Sequence, residues 1–588
     1  MGDSLRKDNS LDLETLMKTM KSNYWLNNVS LLVTLAGQVS PDKNDFKLIF
    51  SNLLEYSKAK KIGRTLNWLA LGLVLNQEKT VKYIMHNGVF RVANYNYNGT
   101  FLYNVHRKIS EVCNEINLNK KNKNYFFSKS LFLSALSKIN EIYHEIKRDI
   151  RCYQKTLLKD LLAISDFYFF KNIERKQITD PSKLDFYTKE EIAESISFIL
   201  FQLLNTTNLE LNCINESNVD NILKNKYEKL IINSCLLKKY VEWEILIDSF
   251  NYQCVIENKE INLKANDDFL EKSIQHGRIY SYIQQMNFHL KALSAYRSEA
   301  ASLEEFCEMI YKKMGHEILK RIQEPIERLV LHLPEYPPIF DFLKNNAFCL
   351  EEIIILAGEC RDMLTELNEL LQFKVCDNLT FKDIIVVDRL FNFLRIIFSK
   401  YLDKHLKDEP EIVFRSIVPV FQKDYLITLI ATVVEKETAE TYLDLFTWDE
   451  NKKQLFDLQY RPIIRIDDHY ILPINIVCKS NIFRNTLYIL RKRLFDQKEF
   501  DPIANLLQRN IRDKGYNVKT NIKFNKNGIE GDIDLAAQVG NTTLIVEAKN
   551  TLHPGNIFEM RTTYDNLIKA ETQLTKIKQA LIKSVKEK

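Results

Sequence analysis

A large, mostly α-helical amino-terminal region followed by a mixed α and α/β carboxy-terminal part is the fold class this sequence predicts. Three observations predict it. No glycine occurs between Gly99 and Gly277, and Pro181 is the single proline there, a scarcity of breakers that suits long helices. Past Lys407-Asp408-Glu409-Pro410, short β-type runs alternate with turn residues. Near the end, Gly531-Asp532-Ile533-Asp534-Leu535 and Ile545-Val546-Glu547-Ala548-Lys549 alternate charged with apolar residues, the period of a half-buried strand.

The elements follow in order. Ser195 to Leu204 and Val219 to Leu237 carry apolar residues near helical spacing. Pro334 to Pro338 interrupts the pattern before Phe340. Leu350 to Phe373 and Phe381 to His405 read as a helical pair joined at Cys376-Asp377-Asn378. Pro462 to Ile466, the turn Asp467-Asp468, and His469 to Pro473 read as a hairpin. Asn481 to Phe495 reads as a helix ending in the basic run Arg491-Lys492-Arg493. A helix from Phe500 to Lys514 stops at Gly515, and a strand from Tyr516 to Phe524 leads to the turn Asn525-Lys526-Asn527-Gly528. The two alternating strands come next, turned by Gly540-Asn541, and a long helix runs to the end. This divides the chain into a helical region (1–407), a bridging segment with a hairpin (408–495) and a carboxy-terminal domain (496–588). No repeat of convincing period is present, so a solenoid is not supported.

Composition narrows the function classes. The 588 residues are 45% hydrophobic, ordinary for a folded protein and long enough for several domains. Met1 to Asn27 lacks the cationic start and apolar run of a secretory signal, and Met1 to Arg6 lacks the Ser or Thr of a myristoylation signal. The apolar stretch Trp68 to Leu75 is too short to span a bilayer, so no membrane partner and a cytoplasmic location are expected. Ten cysteines stand singly without a Cys-x-x-Cys pair, and ten histidines are equally dispersed; reduced, mostly buried thiols account for this better than zinc. From Phe500 to Lys588 there are 14 Lys+Arg against 10 Asp+Glu, a basic balance that suits a polyanion. Trp448, Tyr460 and Arg461 could touch nucleic acid, although an aromatic core with a surface arginine explains them more simply. No Walker phosphate loop, G-x-S-x-G elbow or His-Glu-x-x-His motif is present.

The chemistry-bearing constellation is the pair of alternating strands. Side chains two apart share a strand face, so Asp532 and Asp534 point one way and Ile533 and Leu535 the other. Glu547 and Lys549 likewise share a face, with Val546 and Ala548 opposite. A tight hairpin would gather three carboxylates around one lysine. Clustered carboxylates repel unless a cation joins them, and hard oxygen donors suit Mg²⁺ or Mn²⁺.

These residues resemble the PD-(D/E)xK nuclease superfamily, the restriction-endonuclease-like fold, in its restriction-type or NERD-like form. The resemblance covers about 496–588. Gly531-Asp532-Ile533-Asp534-Leu535 fits the first motif, with Asp532 where the family usually has Glu, and Glu547-Ala548-Lys549 fits the second. Lys569-Ala570-Glu571-Thr572-Gln573-Leu574 is similar to the family's Gln-Leu helix element. Many relatives place a glutamate in the first helix; here that region offers Asn505, Asp501 and Glu499.

The resemblance implies a restriction-endonuclease-like α/β/α domain and a Mg²⁺- or Mn²⁺-dependent nuclease. Asp534, Glu547 and the Ala548 carbonyl would bind the metal, with Asp532 assisting. Lys549 and Gln573 would act on the water and the substrate, and Lys569 and Lys576 could hold phosphate. His553 and Glu559 lie close to the motif in sequence as further candidates. Leu567, Ala570, Leu574, Ile577 and Leu581 form the stripe expected to dock the last helix on the sheet. The implied partner is nucleic acid, DNA ahead of RNA, in a restriction or antiphage (antiviral) defence setting, with a homo-oligomer or a defence-system partner protein as further partners. The competing reading is a catalytically silent nuclease-fold scaffold whose helical region binds a protein.

Overall fold

The computed structural model describes residues 29–39, 41–171, 180–206, 217–296, 300–324, 326–363, 367–449, 456–490, 502–526, 529–549 and 554–586. Outside them fall residues 1–28, Arg491-Lys492-Arg493, Glu499, Asp501, the turn residues Asn527-Gly528, and His553. The protein is mostly helical with small sheets. It forms two compact units, each assembled from separated stretches.

The first unit gathers Met1–Glu145, Leu236–Gly277 and Asn556–Arg561. Its helix Lys43–Lys58 starts on a capping box, with Asp42 accepting from the Asn44 and Asp45 amides and Asp45 answering the Asp42 amide. The helix Ile62–Asn87 ends at Gly88, whose φ of 59° a side chain would disfavour. Leu66, Leu69, Leu102, Val105 and Phe126 are buried. So is an ionic group: Lys129 donates to Glu244 at 2.7 Å and to Asp248 at 3.2 Å. The Val92 amide donates to the same Glu244, and Arg91 lies 3.5 Å from Asp248. Two carboxylates facing two cations leave little net charge, which is the condition for burying them. Tyr252–Glu257 and Glu260–Ala265 form a hairpin turned by Asn258 and Lys259, at φ 53° and 67°. Among the described residues, the long helical stretch expected between Gly99 and Gly277 is therefore broken once by β structure.

The second unit gathers Ile146–Cys235, Arg278–Gly555 and Thr562–Lys588. Phe381–His405 is a buried helix opened by a Thr380/Asp383 capping box. Cys376 and Leu379 flank the expected turn in a very short hairpin. Pro337 and Pro338 do not simply break a helix; they start one, Pro337–Leu343, where a missing amide proton costs nothing. The expected hairpin forms as Ile463–Ile466 and His469–Ile471, with Asp467 at φ 50°. It lies inside a four-stranded sheet with Val420–Gln422 on one side, antiparallel, and Thr447–Asp449 on the other, parallel. Trp448 is buried against Phe456, Tyr460 packs on Tyr488, and Arg461 donates to the Leu445 carbonyl, so these three belong to the packing. Residues on the two sides of Lys407–Pro410 interlock. Buried Asp166 accepts from Asn475 at 2.8 Å and from the Ile476 amide at 3.0 Å, and Ser197 accepts from the Leu458 amide. Among the described residues the cysteines are free, and no helix is long and apolar enough to cross a membrane.

Candidate active site

The carboxy-terminal elements start with the helix Pro502–Asp513. The Gly515 amide donates to the Arg512 carbonyl and the Tyr516 amide to the Ile511 carbonyl, with Gly515 at φ 81°. That pair of bonds is the Schellman ending that a glycine at this position permits. Three antiparallel strands follow, Asn517–Lys526, Ile529–Val539 and Thr542–Val546, in that spatial order. Val539 faces Thr542, so the second and third strands are joined through Gly540 and Asn541 alone, with Gly540 at φ 60°.

One face of this sheet is the core. Val518, Leu535 and Ala537 are buried there, with Leu507 and Ile511 of the helix and Val546 packed against them. Ile533 is buried too. The other face carries the polar residues. Lys519, Lys523 and Asp532 are exposed and Asp534 is half-buried. Lys523 faces Asp532 across the ladder, and Asn521, at φ 53°, interrupts the ladder opposite Asp534. Asparagine tolerates this left-handed backbone better than most residues.

The third strand ends at Val546, so Glu547, Ala548 and Lys549 leave the ladder rather than continue it. They leave it in a direction that keeps them beside the second strand. The Ala548 amide donates to Asp534 Oδ2 at 2.7 Å. Lys549 Nζ donates to Glu547 Oε1. The Glu547 side chain is 2% exposed and that of Lys549 is 24% exposed. Glu547 Oε2 is buried and has no hydrogen-bond partner among the described residues. Burial raises the Glu547 pKa above the ordinary carboxylate value; the Lys549 bond offsets part of this, and the charges of Asp534 and Asp532 add to the rise.

Asp534, Glu547, Ala548 and Lys549 are thus brought together, and Asp532 lies on the same sheet face at its exposed edge. Gln573 lies on the helix Ile557–Lys586, half-buried. The stripe expected on that helix is covered only at Ala570 and Ile577, with Ala580 joining them; Leu567, Leu574 and Leu581 are exposed. A continuous leucine stripe needs a continuous partner surface, and this helix is covered along Ala570, Ile577 and Ala580 instead. Among the described residues no three His, Cys, Asp or Glu side chains converge as a metal-holding group.

The donor set nonetheless fits a hard cation. It offers the two carboxylates of Asp534 and Glu547, a backbone carbonyl at Ala548, and an orphaned buried carboxylate oxygen whose charge is under-compensated. Reading the motif alone missed Lys519, Asn521 and Lys523. Their alternation with apolar neighbours in Asn517-Val518-Lys519-Thr520-Asn521-Ile522-Lys523 was the available signal. Compared with family models, curated proteins and solved structures, the chain matches none.

Proposed function

We propose that this protein is a metal-dependent nuclease that hydrolyses phosphodiester bonds through its carboxy-terminal restriction-endonuclease-like domain, with DNA the substrate ahead of RNA. The observation that carries the reading is that Asp534 holds the Ala548 amide and Lys549 holds Glu547 Oε1, while Glu547 Oε2 is buried without a partner among the described residues. A pure scaffold gains nothing from a desolvated, under-compensated carboxylate, which is costly to keep.

Asp534, Glu547 and the Ala548 carbonyl would hold Mg²⁺ or Mn²⁺, with Asp532 at the outer edge. A cation held there would supply charge neutralisation for the phosphoryl oxygens and a more acidic water. Lys549, partly open to solvent and anchored on Glu547, orients the attacking water and offsets charge developing on the phosphate. Lys519 and Lys523, exposed on the same face, suit the backbone phosphates flanking the cut. Gln573 stays in this reading as a donor to water or substrate. The setting we propose is cytoplasmic restriction or antiphage defence, which rests on the resemblance.

The test is end-labelled duplex DNA, single-stranded DNA and RNA incubated with purified protein in Mg²⁺, Mn²⁺ or EDTA. The reading requires cleavage of at least one substrate with metal and none with EDTA. EDTA-resistant cleavage, or no cleavage of any of them, counts against it.

A further inference from the structure

The helix Asp268–Tyr296 is 29 residues long and keeps little of its apolar surface inside. Ile279, Tyr280, Tyr282, Ile283, Met286 and Leu290 are 60, 57, 64, 48, 43 and 58% exposed. Residues 279, 283, 286, 290 and 293 are Ile, Ile, Met, Leu and Leu, with steps alternating between four and three. That is the spacing of a coiled-coil seam. The half-buried residues Ile274, Ser281 and Phe288 repeat every seven positions on the opposite side of the helix. The helix is therefore half-covered along the row facing away from its seam, while the seam from Ile279 to Leu290 is exposed and Leu293 at its end is half-buried. An amphipathic helix ordinarily does the reverse.

We propose that this seam is a dimerisation surface, and that its occupant is the same helix of a second copy of this chain. The steps of four and three demand a helical partner with the same period. The flanking positions, Gln275, Tyr280, Tyr282, Asn287, His289 and Ser294, carry no Asp, Glu, Lys or Arg. Identical copies can therefore approach without like-charge repulsion, and no charge pattern selects a different partner. The seam is also nearly symmetric about Met286, with Ile279 and Leu293 seven residues to either side. A two-fold axis through Met286 sets that residue against its own copy, as an isologous interface requires. With about 100 Å² of exposed side chain from each of the six residues on both copies, the buried total is on the order of 1,200 Å², the lower end for a specific interface.

The experiment is mass by light scattering and sedimentation on the full chain at micromolar concentration. The wild-type protein should run at twice its 69.3 kDa chain mass. Met286→Glu and Met286→Lys should each halve the mass to a single chain, with unchanged circular dichroism because the side chain is exposed. Mixed in equal amounts they should regain the dimer, since opposite charges now meet at the axis. A wild-type monomer would overturn the proposal and leave the seam to a different protein. A dimer persisting in folded Met286→Glu, or a mixture of folded variants that stays monomeric, would equally overturn it.

Discussion

Replacing Glu547 with glutamine removes one negative charge and leaves the shape nearly unchanged. In the wild-type protein that charge is desolvated, with one oxygen on Lys549 and the other without a partner among the described residues. A carboxylate at roughly 4 Å in an effective dielectric of about 20 interacts by about 4 kcal/mol per unit of the cation's charge, and desolvation of the pair offsets part of the doubled figure for a divalent ion. Losing it should therefore weaken divalent-cation binding by about three decades in Kd. The assay is calorimetric titration with Mn²⁺ on the full-length protein, run for both chains. The pH dependence carries a second signature. The native Glu547 carboxyl holds its proton more tightly than the unfolded chain does, because its pKa is raised by burial. Its contribution to stability is thus fully present below the ordinary carboxylate pKa and is lost as pH rises through the raised value. A cation competes for that proton, so wild-type metal affinity should decline on acidification through Glu547's raised pKa, above the range of an ordinary glutamate. Equal Mn²⁺ affinity in wild type and Glu547→Gln, with the same pH profile, would refute the assignment of this carboxylate.

Three further outcomes follow from the same geometry. Lys549→Ala should retain Mn²⁺ binding while cleavage falls by roughly two to three decades, the ~2.7–4 kcal/mol lost with one transition-state donor; single-turnover cleavage measures it. Lys519→Gln combined with Lys523→Gln should weaken nucleic-acid binding for every sequence and reduce the slope of log K against log salt by about 2, read by fluorescence anisotropy at several salt concentrations. In the first unit, Lys129→Met leaves Glu244 and Asp248 without their buried cation and should cost about 3–5 kcal/mol in denaturant unfolding, whereas a change near zero would mean water already reaches that group.

Sequence and structure agree where local chemistry decides. Gly515 and Gly540 are legible because each needs a positive φ, and the structure gives them 81° and 60°. The hairpin at Asp467-Asp468 was likewise set by a turn between two β-type runs. The hairpin Tyr252–Ala265 escaped because its turn is Asn258-Lys259, in which a lysine takes the left-handed backbone usually given to glycine. At Pro337 the proline was read as a stop, although a first-turn proline is equally a start.

In the site, the shared faces of Asp532 with Asp534 and of Ile533 with Leu535 follow from period two alone. Departure of Glu547 to Lys549 from the ladder does not, because it depends on Asp534 capturing the Ala548 amide. Nor does the solvent-facing seam on Asp268–Tyr296 announce its orientation, since the same heptad could pack inward. Pairings such as Asp166 with Asn475 join residues about three hundred positions apart and leave no local trace in the sequence.

In the proposed function, the Asp534, Glu547 and Lys549 constellation cuts nucleic acid with the help of a divalent cation. Supercoiled plasmid incubated with wild-type, Glu547→Gln and Lys549→Ala proteins tests it most directly. Wild type should give nicked or linear product in Mg²⁺ or Mn²⁺ and none in EDTA, and either variant at least a hundredfold less. Wild-type cleavage by both folded variants would contradict it.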